Sequence, residues 1–229
     1  MGQIFAIGGY DYGRDQALLD VTISLIGKSN PSIGILTTAS GDDSASIEKI
    51  QNAFSPFSCT TEVYSFFKKN SPLEAFIENN DAFFVTGGNV KSMLGVWREW
   101  GMDQALIRAN LQGKLLAGWS AGGICWFDSM VTDSWAERIV LEPGLGLING
   151  CCCPHYEPDN VFENAPESLI SKVDTWPFLG ISNGCGVLYN EGKIEEIYVS
   201  HSEARAVEFK YENNQFQTIA LEASGISKP

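Results

Sequence analysis

Short apolar runs alternate with longer amphipathic stretches through the first half of the chain. Residues 4–7, 33–37, 81–85 and 114–119 are such runs. Turn residues close them: Gly8-Gly9 after the first and Thr86-Gly87-Gly88-Asn89 after the third. A short apolar run between turn signals reads as a strand buried on both faces. Between the runs, Leu18, Leu19, Ile23 and Ile26 recur at helical spacing in 15–26, and Ile47, Ile50 and Phe54 do so in 44–54. Residues 61–66 alternate like a strand. Pro72 opens a short helix over 72–78, a position where the missing N–H costs nothing. Residues 90–110 read as mostly helical, broken near Gly101. This alternation predicts an α/β fold with a mostly parallel central sheet and helices on both of its faces.

The second half is less regular. Residues 129–138 are polar and aromatic and read as a loop. Residues 145–153 read as a strand ending at Pro154-His155, and 166–173 as a helix. Residues 178–182, 186–189, 194–199, 206–211 and 216–221 read as strands, the last two joined by a hairpin at Glu212-Asn213-Asn214-Gln215. These predict antiparallel strands added at the C-terminal edge of the sheet. No repeat, low-complexity segment or polar linker divides the chain, so residues 1–229 are expected to form a single domain.

Composition narrows the function classes. The 229 residues carry 15 Lys and Arg against 28 Asp and Glu, a net charge of −13. That balance argues against nucleic acid as a partner, because phosphate binding needs clustered cations. No apolar run exceeds four residues, so no membrane span is expected. The N-terminus lacks the basic and apolar regions of a signal peptide, and a cytoplasmic location is expected. Six cysteines, three of them consecutive at 151–153, have neither zinc spacing nor convenient disulfide geometry. They are expected to be buried thiols, with no metal and no cofactor implied.

The strongest chemical signal is Gly118-Trp119-Ser120-Ala121-Gly122. It follows an apolar strand and precedes a helix expected to start over 123–127, the context a nucleophile elbow requires. The turn exposes the Ser120 hydroxyl, and the helix N-terminus behind it offers the Ala121 N–H to an oxyanion. A serine nucleophile needs a base, and the chain has two histidines, His155 and His201. His155, at the end of an apolar strand, is the expected base. A carboxylate should hold its tautomer, and Asp128, Asp133, Glu137 and Glu157 are candidates, Asp133 lying in a polar stretch between the elbow helix and the His155 strand. The turn at Gly88 could supply a second oxyanion donor. It lacks the P-loop pattern, and Gly8-Gly9 lacks dinucleotide spacing.

These segments together resemble the serine peptidase family of peptidase E (aspartyl dipeptidase) and cyanophycinase. The resemblance rests on Gly8-Gly9, Thr86-Gly87-Gly88-Asn89, the Ser120 elbow and Pro154-His155-Tyr156, in that order. It is strongest to an uncharacterised bacterial branch. It implies a fold similar to class I glutamine amidotransferases, with Ser120 as nucleophile and His155 as base. Gly88 and Ala121 would form the oxyanion hole. The family's acid lies between nucleophile and base in sequence, which supports Asp133 and leaves Glu137 open. The implied reaction is hydrolysis of small peptides, as a dipeptidase or other exopeptidase, and a homodimer is possible. Two alternatives stand beside it. One is a catalytically silent α/β binding protein. The other is an α/β-hydrolase-type esterase that uses His201.

Overall fold

The computed structural model describes residues 2–157, 169, 177–212 and 215–226. The first half builds β1 (Ile4–Ile7), α1 (Gln16–Ile26), β2 (Ser32–Leu36), α2 (Ser44–Phe54) and β3 (Thr60–Val63). It continues with α3 (Leu73–Asn79), β4 (Ala82–Val85), α4 (Val90–Trp100), α5 (Met102–Leu111) and β5 (Leu115–Trp119). Asp43 caps α2, its carboxylate accepting from the N–H groups of Ala45 and Ser46, and Asn89 caps α4 by accepting from Ser92 N–H. Gly101, in the left-handed region, ends α4 and starts α5.

The second half begins with α6 (Ala121–Ile124), β6 (Phe127–Thr132), β7 (Val140–Pro143), β8 (Ile148–Cys153) and β9 (Phe178–Ile181). It ends with β10 (Cys185–Asn190), β11 (Lys193–Val199), β12 (Ala206–Glu212), β13 (Gln215–Leu221) and β14 (Gly225–Ile226). Apart from Leu169, the helix expected over 166–173 lies outside the described residues.

An eight-stranded sheet runs β14-β11-β10-β1-β5-β4-β2-β3. Its β1, β5, β4, β2 and β3 are parallel, while β10 pairs antiparallel to β1, and β11 antiparallel to β10. The mostly parallel sheet with antiparallel additions is therefore present. Alternate residues of its strands enter two cores, as the pleat dictates. Phe5, Ile7, Ile33, Ile35 and Phe84 pack with Leu18 and Leu19 of α1 and with Ile50 and Phe54 of α2. Ile4, Ala6, Phe83 and Val85 face the other way, onto Met93 and Trp97 of α4 and Leu106 of α5.

Three expectations are corrected. The loop expected at 129–138 is in part β6. A register irregularity between Phe127 and Ser129 breaks the period-2 pattern that would have revealed that strand. The elbow helix is only four residues long. Gly122 and Gly123 are weak helix formers, and Leu145 and Leu147 N–H capture the Cys125 and Trp126 carbonyls and turn the chain into β6. Finally, the β12–β13 hairpin does not extend the first sheet. It belongs to a six-stranded sheet of order β13-β12-β9-β8-β6-β7. Met130, Cys152, Leu179 and Ala206 of that sheet join the core behind α4 and α5.

Candidate active site

The carboxyl ends of β1, β5 and β4 lie side by side, where open α/β sheets bind ligands. At the end of β5 the chain turns through Ser120 with φ 51° and ψ −121°. A non-glycine residue held there costs of order 1–3 kcal/mol and persists only when its surroundings fix it. Here they do. Ser120 N–H donates to Ile7 O at 3.0 Å, and its carbonyl accepts from Gly123 N–H at 2.8 Å and Ile124 N–H at 2.9 Å. A side chain at Gly122 would meet Val85 O at 2.2 Å, so the elbow seats itself against β4 only with glycine there.

Ser120 Oγ lies 2.8 Å from His155 Nε2, and His155 Nδ1 lies 2.6 Å from Asn183 Oδ1. An amide oxygen only accepts, so Nδ1 carries the proton and Nε2 presents its lone pair to the serine hydroxyl. His155 is reached from β8 of the second sheet, and its N–H donates to Gly8 O at 3.3 Å. Asn183 lies between β9 and β10, where the chain passes from one sheet to the other.

A cleft of about 330 Å³ opens over Ser120. Gly88, Ala121, Asp133 and His155 are among its lining residues. Among the described residues neither the Gly88 nor the Ala121 N–H has a hydrogen-bond partner, so both are unspent donors beside the serine. The segment after β6 is tied over this cleft, since Ser134 Oγ accepts from Val90 N–H at 3.2 Å and bonds Thr132 Oγ1 at 2.9 Å. None of the cysteines lines it. Burial pushes the Cys151 thiol up to about 12 and raises Cys125, Cys152, Cys153 and Cys185 as well. Such thiols are poor nucleophiles, and the elbow residue is serine.

Residues 4–197 match the model of peptidase family S51. The chain belongs to this family. An S51 chain is a serine peptidase by class. This one is 32% identical over 225 residues to the uncharacterised peptidase YgaJ of Bacillus subtilis (strain 168), covering 96% of this chain and 97% of that one. Its fold is shared with the peptidase E-like protein of Listeria monocytogenes EGD-e, at TM-score 0.61 and 17% identity over 97% of this chain and all of that one. It is shared also with a peptidase from an acI-B1 actinobacterium, at TM-score 0.69 and 15% identity over 96% and 97%.

Ser120, His155, Gly88, Ala121 and Asp133 all line this one cleft. The expectation that Asp133 takes Nδ1 of His155 is corrected. Among the described residues Asn183 holds that nitrogen, and the Asp133 side, past the end of β6, is exposed. Glu137 is also exposed. Glu157 stands one bond further out, accepting Asn183 N–H at 2.7 Å. His201 lines a separate cavity on the far side of His155. Of the two histidines, it is therefore the His155 ring that stands at Ser120 Oγ, and His201 does not.

Sequence reasoning missed Asn183 because it looked for a carboxylate. A signal was present in Gly8-Gly9, a glycine pair read from the sequence only as a strand-closing turn and a family segment. A side chain on Gly9 would stand 1.8 Å from Asn183 Oδ1 and 2.5 Å from His155 Nδ1. Gly9→Ala is therefore expected to displace both side chains and lower kcat by about 10²-fold, the usual cost of moving a reacting group by roughly 1 Å. Steady-state kinetics on protein with unchanged circular dichroism checks this.

Proposed function

We propose that this S51 peptidase hydrolyses small peptides through an acyl-enzyme on Ser120. The observation that carries the reading is the 2.8 Å contact between Ser120 Oγ and His155 Nε2 on a strained elbow. His155 takes the hydroxyl proton as Oγ attacks the scissile carbonyl. The carbonyl oxygen becomes an oxyanion facing the Gly88 and Ala121 N–H groups. The imidazolium then protonates the leaving amine, and water, deprotonated by the same ring, releases the acid product. Six free cysteines suit a reducing compartment, and the cytoplasm is the proposed location. No described helix is long and apolar enough to cross a membrane.

The cleft also supports exopeptidase action. Asp133 is the one formally charged side chain among the described residues lining it. A carboxylate there attracts the α-ammonium of a short peptide and places the first peptide bond near Ser120. Asp133→Asn is expected to raise KM by roughly two- to fivefold for peptides with a free amino terminus, the loss of about one exposed charge contact. N-acetylated peptides should be indifferent. A carboxylate acting on the His155 ring would behave otherwise, since its amide replacement costs on the order of 10⁴ in kcat for every substrate.

Labelling with a fluorophosphonate tests the reading as a whole. Modification of the wild type but not of Ser120→Ala supports it. A folded wild type that takes no label would leave the silent binding protein.

A further inference from the structure

We propose that Asn183 is the residue that orients His155, an uncharged amide in the place where a serine hydrolase ordinarily uses a carboxylate, with Glu157 holding Asn183. The inference rests on the Ser120–His155 reading above. Its first support is the 2.6 Å contact between Asn183 Oδ1 and His155 Nδ1. Its second is the number of restraints on Asn183 itself. The Asn183 N–H donates to Glu157 Oε1 at 2.7 Å, and the Asn183 carbonyl accepts from Ser182 Oγ at 3.1 Å. Ser182 is fully buried and accepts Arg205 N–H at 2.7 Å. Asn183 also bridges Gly9, and the neighbouring Gly184 N–H donates to Gly9 O at 3.0 Å. The third support is Gly9, whose missing side chain leaves the space that the Asn183 amide and the His155 ring occupy. An amide held this rigidly fixes the ring by geometry.

The choice of amide has an electrostatic consequence. An aspartate on Nδ1 would fix the same tautomer and also stabilise the imidazolium, raising the pKa of the ring. Asn183 fixes the tautomer without adding that charge. Other charged groups do face the ring. Glu157 comes from its own segment and Asp133 from the end of β6. Across the second cavity stand Asp11, Arg14 and Asp15 from the segment after β1, and His201 and Glu203 from the turn after β11.

The chain has two histidines, so ring titration by NMR is readable, and His155→Gln assigns the signals. Asn183→Asp is expected to raise the His155 pKa by about 1–3 units. The acidic limb of kcat/KM should move to higher pH by the same amount, because the free base then appears only at higher pH. Asn183→Ala should lose about 10²-fold in kcat with KM little changed, as a misoriented base does. In the wild type, ¹⁵N shifts should show the neutral ring protonated on Nδ1, a reading that needs no variant to fold. A ring protonated on Nε2 overturns the proposal, as does a His155 pKa in Asn183→Asp within about 0.3 unit of wild type. The two readings fail separately. A titration that behaves as expected while Ser120 takes no fluorophosphonate sinks the peptidase and keeps the positioning role. Labelling of Ser120 with an unresponsive ring does the reverse.

Discussion

Replacing Ser120 with alanine is expected to lower kcat by about 10⁴–10⁶-fold on any peptide the enzyme cleaves, with the fold intact. The size of the loss follows from what Oγ does. In the proposed mechanism it forms the acyl bond, and water in its place must attack without the elbow's orientation or the proximity it supplies. The residual rate is what the Gly88 and Ala121 donors and the cleft provide alone. Stability should change little. Ser120 is only half-buried, its backbone contacts to Ile7, Gly123 and Ile124 do not involve the side chain, and alanine tolerates the same backbone no worse than serine. Paired measurements of kcat and of the unfolding midpoint check both halves. Turnover within about tenfold of wild type would remove Ser120 as nucleophile.

His155→Ala is expected to cost as much as Ser120→Ala, and the double variant should be little worse than either. Without the ring, Oγ keeps its proton at neutral pH and the leaving amine has no acid. The two side chains therefore act as one device, and their losses do not add. His201→Ala is the control, expected to stay within a few fold of wild type, because that ring lies across the second cavity and not at Ser120. A cycle of the four proteins on one chromogenic peptide decides. Additive losses would mean that His155 works independently of the serine.

The sequence made much of this site readable, for identifiable physical reasons. The parallel strands are buried on both faces, so they stand out as apolar runs, and the elbow is marked because only small residues let β5 and α6 approach β4. What stayed hidden depended on distant pairing. Nothing in the composition of 206–221 says that β12 pairs with β9 and not with β11. Pro143 marks β7 as an edge strand only once its neighbour β6 is known. Asn183 was hidden twice over. It is 28 residues beyond His155, and its neighbour Gly184 makes the pair look like an ordinary Asn-Gly turn. The role expected of Asp133 failed for a related reason. Order along the chain says which carboxylates are available, but not which group the fold brings to Nδ1.

The hydrogen bond between Ser120 and His155 is also a seam. Ser120 hangs from β5 in the eight-stranded sheet, and His155 hangs from β8 in the six-stranded one. Asn183 sits on the strap that crosses between them. A chain that has formed only its first sheet owns an elbow and no base. The proposed hydrolysis thus requires both sheets at once. On the proposed mechanism, turnover would report that both sheets are in place.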